Sequence, residues 1–191
     1  MVTEGQREGL RLARRLVDYF QDECHFSNYV KNEVIRLYWT LLQSGNTSGF
    51  ERKRVIAALT YYVCNREGHG TSMQELSGLV GYDRHKLFKS LKKLRKRLLL
   101  PPIVPCIEGL IIKHGNELKM KPETISNAIR LANKVKDKVM NNPLVITGTC
   151  LYMAGQENKE MVSVKTIRNH LDISESTIYS LKRKLKELDL F

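Results

Sequence analysis

A shift of 91 residues lays the second half of this chain over the first. It superposes Tyr61 on Tyr152, Leu76 on Ile167, Val80 on Leu171, Tyr82 on Ile173, Leu87 on Ile178 and Leu94 on Leu185, and it sets Asp83, a good helix cap, on Ser174, another. Earlier in each half the shift becomes 95, pairing Val30 with Ile125 and Val34 with Ile129. The difference is taken up in one place: the loop at Met140-Asn141-Asn142-Pro143 is about four residues shorter than the loop Ser44-Gly45-Asn46-Thr47-Ser48-Gly49. Matched patterns with a single localised gap are what a duplicated unit leaves behind. Pro101, Pro102 and Pro105 cannot lie inside one continuous helix, so 99–105 reads as a linker. The expectation is two repeats, 1–100 and 101–191, each near the size at which a helical unit buries a core of its own.

The repeated unit is predicted to be helical throughout. Apolar residues recur with helical period almost everywhere, and no run of clean alternation between turns suggests a sheet. Leu10, Leu12, Ala13, Leu16, Val17 and Phe20 mark a first helix, and Ser27 caps a second carrying Val30, Val34, Ile35, Leu37 and Leu41. Residues 52–66 are apolar on nearly all sides beyond Arg54, as a central helix surrounded by neighbours must be. Two more helices follow at about 72–80 and 83–98, joined by Gly81-Tyr82-Asp83 with glycine past one helix end and aspartate at the next start. The fold class is all-α: two tandem five-helix units, each closing in two helices joined by a tight turn.

Charge narrows the partners. The chain carries 32 Lys+Arg against 20 Asp+Glu, a net +12, and the first hundred residues hold 18 basic side chains to 10 acidic. Such a surplus attracts polyanions, nucleic acid first. Cys24, Cys64, Cys106 and Cys150 never form a CxxC pair and read as reduced structural residues; no metal site and no cofactor is expected. No signal-peptide core or apolar spanning stretch is present, so the expected setting is intracellular, cytoplasmic in an archaeal or viral host or else nuclear, away from membranes. Catalysis is not expected either. No phosphate-cradling glycine loop precedes a helix, and His25, His69, His85, His114 and His170 fall in different elements.

The segment VIAALTYYVCNREGHGTSMQELSGLVGYDRHKLFKSLKKL, with its Tyr-x-x-Cys close and the helix-turn-helix after it, resembles the first cyclin-like repeat of the archaeal transcription factor B and eukaryotic transcription factor IIB family. NPLVITGTCLYMAGQENKEMVSVKTIRNHLDISESTIYSLKRKLKEL resembles the second repeat more closely, and KHGNELKMKPETISNAI extends the likeness backward, so that it covers residues 8–190. Each motif alone is weak; their order and spacing are specific. Thr147-Gly148-Thr149-Cys150 replaces the usual run of alanines, which marks a divergent member with close helix packing at that point. Full-length members begin with a cysteine-rich zinc ribbon that reaches RNA polymerase, and the residues before position 8 resemble none, so the expected object is the core without the ribbon.

What the resemblance implies is a transcription initiation core that holds a TATA-binding protein and promoter DNA together, with RNA polymerase as a further partner and a monomer when free. In a helix-turn-helix the first turn of the second helix enters the major groove while flanking cations hold phosphates. In the second repeat Ile178, Leu181, Leu185 and Leu188 face the core, leaving Glu175, Ser176, Tyr179, Lys182, Arg183 and Lys186 outward. Ser176, Thr177 and Tyr179, next to the cap Ser174, would meet bases upstream of the TATA box. Members that read that element well carry valine and arginine where Ser176 and Tyr179 stand, and arginine to guanine is the commonest specific contact, so a different base preference is expected.

In the first repeat Arg84, Lys86, Lys89, Lys92, Lys93, Arg95, Lys96 and Arg97 run without an acid beside the buried stripe Leu87, Leu91, Leu94 and Leu98. The resemblance gives Arg84, His85, Lys86 and Lys89 to an acidic loop of the TATA-binding protein, and Lys92, Lys93 and Lys96 to DNA phosphates. Arg52, Lys53 and Arg54 at the start of the central helix would add phosphate contacts. The competing readings are a cyclin that regulates a kinase, which shares the duplicated unit, and a viral or plasmid helix-turn-helix regulator that binds DNA alone.

Overall fold

The structure, a computed structural model, describes residues 3–45, 51–139 and 141–188, and every regular element among them is an α-helix. The chain divides into two compact units, Met1–Val104 and Pro105–Phe191. Among the described residues no helix is long and apolar enough to cross a membrane.

The first unit holds α1 (Glu4–Cys24), α2 (Asn28–Gln43), α3 (Arg52–Arg66), α4 (Met73–Val80) and α5 (Arg84–Arg97). Side-chain caps set four of the starts. Thr3 with Gln6 and Ser72 with Glu75 form capping boxes, the Ser27 hydroxyl accepts from the Val30 amide, and the Asp83 carboxylate accepts from the His85 amide. On α1 the buried stripe is Gly9, Ala13, Val17, Phe20 and Cys24, so the expected Leu10, Leu12 and Leu16 flank the core instead of filling it. Helix α3 is buried continuously from Val55 to Asn65 because α1, α2, α4 and α5 all pack against it. A polar residue so enclosed must be paired, and the Asn65 amide donates to the carbonyls of Tyr61 (3.0 Å) and Thr71 (2.7 Å), tying the end of α3 to the loop that launches α4.

The second unit repeats the plan with α6 (Ile107–Glu117), α7 (Pro122–Val135), α8 (Pro143–Glu157), α9 (Val164–Leu171) and α10 (Glu175–Glu187). Adding 91 carries both ends of α3 onto α8, both ends of α4 onto α9, and the start of α5 onto that of α10. The caps coincide as well, Ser72 with Ser163 and Asp83 with Ser174. Even the left-handed residue past the first helix of the pair recurs: Gly81 at φ 70° and Asp172 at φ 51°. Residues 46–50 and 140, where the two central loops differ in length, lie outside the described residues. The units are unequal at their openings, since α1 has 21 residues and α6 has 11.

Close packing at the unusual Thr147-Gly148-Thr149-Cys150 run has a concrete form. A Cβ built on Gly148 would lie 2.7 Å from Ile173 Cδ1, 2.9 Å from Leu171 Cδ1 and 3.2 Å from Ile167 Cγ2, so glycine lets α8 approach α9 and the turn after it. The first unit places Ala57 at the equivalent site, fully buried. None of the four cysteines is in a disulfide. Cys24, Cys64 and Cys150 are buried, and burial pushes the Cys150 thiol up to about 12. Cys106 caps α6, its Sγ accepting from the Gly109 amide at 3.3 Å.

One ion-pair cluster locks α2 to α3. Arg36 grips Glu33 with two bonds of 2.6 and 2.8 Å, and Arg66 at the end of α3 reaches the same carboxylate at 3.0 Å. Hydrogen bonding from Arg36, then from Arg66, holds the Glu33 carboxyl down at about 2 against the cost of its burial. A carboxyl lowered in the folded state stabilises the fold above its unfolded value near 4.5 and loses that contribution as pH falls towards 2. Glu33→Gln is therefore expected to cost about 1–2 kcal/mol at pH 7. The gap to the parent should close as pH is lowered from 4.5 towards 2, as thermal melts across that range can check. A constant gap across that window would locate the cost in packing instead.

Candidate nucleic-acid interface

The two helix pairs α4–α5 and α9–α10 have the helix-turn-helix layout, and each presents the first turn of its second helix to solvent. Helix α10 buries Ile178, Leu181 and Leu185. Leu188 does not continue the stripe: it is 45% exposed, because α10 ends at Glu187 and Leu188 is only its C-cap. At the start of the helix the Ser174 hydroxyl accepts from the Thr177 amide at 3.2 Å and lies 2.9 Å from Ser176 Oγ and 2.6 Å from Thr177 Oγ1. Three linked hydroxyls thus crown an exposed helix start, each able to turn between donor and acceptor.

Tyr179 is half-exposed and is held edge-on against Tyr152 of α8, with centroids 6.1 Å apart and planes at 88°. Burial, then the hydrogen bond with Tyr179, raises the Tyr152 phenol above its ordinary value. Gln156 donates from Nε2 to the Tyr152 hydroxyl at 2.9 Å. Lys182 belongs to this cluster as well. Its ammonium sits 4.9 Å over the Tyr152 ring and donates to Gln156 Oε1, and burial followed by Lys186 lowers its affinity for its proton. The lysine expected to hold a phosphate is thus committed inside the unit, while Arg183 and Lys186 stay exposed.

In the first unit the start of α5 exposes Arg84, His85, Lys86 and Lys89, with Leu87, Ser90, Leu91 and Leu94 turned to the core and Leu98 half-buried. Hydrogen bonds from the backbone amides of His85 and then Lys86 lower the Asp83 carboxyl, which keeps the cap ionised. Further along, Lys92, Lys93, Arg95 and Lys96 with Leu99 and Leu100 line a cleft of about 500 Å³, an apolar floor with a cationic rim. Arg95 is half-buried there and donates to the Pro101 carbonyl at 3.1 Å. Phe88, which sequence reasoning passed over, stands 49% exposed amid these cations, with the Lys92 ammonium 4.9 Å over its ring.

The trio at the start of α3 separates. Arg52 pairs with Glu8 of α1 at 2.9 Å, and Arg54 lies half-buried with its guanidinium 5.9 Å over the Tyr82 ring. Lys53 alone of the three is exposed.

The histidines fall in different elements, as expected, yet two of them meet in space. His114 of α6 and His170 of α9, in separate elements, have ring nitrogens 3.2 Å apart, and each contacts Glu117 Oε2 at 2.9 Å.

Comparison with known proteins points to one family. Residues 6–97 match the model of the transcription factor TFIIB repeat. Across nearly the whole chain, relatives of the same kind align. Transcription initiation factor IIB of Ignicoccus hospitalis is 22% identical over 99% of this chain and 62% of its own length. That of Methanococcus aeolicus is 22% identical over 98% of this chain and 56% of its own. The human transcription factor IIIB 90 kDa subunit is 24% identical over 97% of this chain and 28% of its own. The chain resembles a divergent TFIIB-like core. It spans less than two thirds of the length of each of these relatives, and its paired cyclin-like units are the part they share with it. Neither the family nor these relatives is named for an enzyme.

Proposed function

We propose that this TFIIB-like core acts in transcription initiation by joining a TATA-binding protein to promoter DNA. The start of α5 meets the protein partner, and α10 contacts DNA upstream of the TATA box. The observation that supports this most is the asymmetry between two otherwise matched helix starts. Arg84, His85, Lys86 and Lys89 offer charge, whereas Ser174, Ser176, Thr177 and Tyr179 offer neutral hydrogen-bonding groups to solvent. Charge suits an acidic protein loop, and hydroxyls suit base edges. Lys92, Lys93 and Lys96 supply phosphate contacts beside the partner, as do Lys53 and, on α10, Arg183 and Lys186. Arg52, Arg54 and Lys182 are assigned to holding the units in shape.

Gel shifts on TATA-containing DNA, with and without a TATA-binding protein, test the reading. A shifted complex that needs both proteins is the expected result. A tight, sequence-dependent shift by this chain alone would mean a self-sufficient DNA-binding regulator, and no shift under either condition would end the proposal.

The phosphate assignment gives a separate prediction. Replacing Arg183 and Lys186 by Ala should weaken the ternary complex on every upstream sequence and flatten its salt dependence by about one unit of log-log slope per lost contact. Lys182→Ala should leave that slope in place and lower the melting temperature, because its ammonium is bound to Tyr152 and Gln156. If Lys182→Ala changes the slope as much as the exposed pair does, the division between them is wrong.

A further inference from the structure

The second unit carries a side-chain cluster that neither the DNA nor the protein contact uses. His114 and Glu117 sit one turn apart on α6, hence on one face of that helix, and His170 comes from α9, the first helix of the helix-turn-helix. His114 Nδ1, Glu117 Oε2 and His170 Nε2 form a triangle with edges of 2.9, 2.9 and 3.2 Å, and the imidazoles meet edge to face at 82°.

Protons satisfy that triangle only in a crowded way. The carboxylate oxygen can accept from both imidazoles when Nδ1 of His114 and Nε2 of His170 are both protonated, but the two N–H groups then crowd onto one oxygen with their nitrogens only 3.2 Å apart. If either nitrogen keeps its lone pair, that nitrogen and the carboxylate oxygen oppose lone pair to lone pair at 2.9 Å. A cation at the centre of the three atoms removes the conflict, because every lone pair then points at positive charge.

The dimensions suit one ion in particular. Zinc takes histidine nitrogen and carboxylate oxygen at about 2.0–2.2 Å in a tetrahedron, which sets ligand atoms roughly 3.3 Å from one another. The observed edges are within a few tenths of an ångström of one face of that tetrahedron. Two imidazoles and a carboxylate are also a donor set that zinc uses, whereas magnesium and calcium want oxygen throughout. Side-chain exposures of 11% for His114, 28% for His170 and 37% for Glu117 leave the outer side open to a water as fourth ligand.

We propose that His114, Glu117 and His170 bind one zinc ion, which clamps α6 to α9 and so braces the helix-turn-helix of the second unit. The site is a structural clamp and carries no reaction. Its affinity should be moderate, in the micromolar range. It has three protein ligands, and the far nitrogen of His114, Nε2, is buried without a partner to fix the ring from behind.

The test uses the full chain stripped of metal by a chelator. Zinc titrated by calorimetry should bind at about one equivalent and raise the melting temperature, since a ligand held only by the folded state stabilises it. Cobalt in its place should give the visible absorption of a tetrahedral site without the intense charge-transfer band of thiolate ligation. His170→Ala and Glu117→Gln, both at partly exposed positions, should each weaken zinc binding by about tenfold or more and abolish the cobalt spectrum. Melting of the metal-free variants, compared with the metal-free parent, verifies that each is folded. Failure of the parent to bind zinc at micromolar concentrations overturns the proposal, as does binding that both variants retain or a cobalt spectrum showing thiolate ligation. Ternary complex formation on promoter DNA is a separate measurement and can succeed or fail independently of this one.

Discussion

Reversing charge at the start of α5, with Arg84→Glu and Lys89→Glu together, should abolish assembly on a TATA-binding protein and DNA whatever the upstream sequence. Both side chains are exposed, so each loses little of the fold when replaced. The fold should even gain. Arg84 is the first residue of α5, where cations oppose the helix dipole at a cost of about 0.3–1 kcal/mol, and an acid there is favoured by a similar amount. At position 89 a glutamate would stand three and four residues before Lys92 and Lys93, the orientation in which helical ion pairs help. The variant should thus melt no lower than the parent while failing to assemble, because like charges brought together at an interface cost several kcal/mol. Arg11→Glu with Arg14→Glu, an equal reversal on the exposed face of α1, is the control and should leave the ternary complex in place. Gel shifts and melts on the two double variants decide it. If the α5 variant assembles normally, the protein partner lies elsewhere; if both variants fail alike, overall charge and not this helix start carries the attraction.

The same residues show what could be read before folding. The duplication was legible because it rests on local signals: caps, a left-handed turn residue and the apolar period of helices, each fixed within a few positions of itself. That is why 91 maps α3 and α4 onto α8 and α9 at both ends. Periodicity also tells which face of a helix points outward, and so Arg84, Lys89, Ser176 and Tyr179 emerge exposed as expected. It does not tell which outward side chain then finds a neighbour on another helix. Lys182 is captured by Tyr152, Arg52 by Glu8, and His114 by His170, partners 30, 44 and 56 positions away in sequence. The one available hint was aromatic: a tyrosine repeated at 61 and 152 near the end of each central helix is a ready face for a cation or a second ring. Glu117 carried no signal of its own, since a carboxylate after a helical histidine is commonplace until a second imidazole arrives from elsewhere.

Capture by Tyr152 also shapes what Tyr179 can do at DNA. Its ring is fixed edge-on, which places the hydroxyl without further ordering cost on the same exposed helix start that carries the Ser174, Ser176 and Thr177 hydroxyls. Such groups can pair with either donors or acceptors on base edges, so they discriminate less sharply than an arginine reading guanine. Tyr179→Ala removes both the hydroxyl and the ring packing. It should leave assembly on a bare TATA site nearly intact and erase discrimination among upstream sequences worth roughly 1–3 kcal/mol. Tyr179→Phe keeps the ring against Tyr152 and deletes the hydroxyl together with its bond to Tyr152, so it separates ring from hydroxyl. If the hydroxyl reads a base, Phe should lose most of what Ala loses; if the ring only supports the turn, Phe should behave as the parent. Ternary complex formation measured for parent, Phe and Ala on a set of upstream variants gives the answer. Equal discrimination by all three would remove Tyr179 from the reading surface and leave base choice to the hydroxyls at 174, 176 and 177.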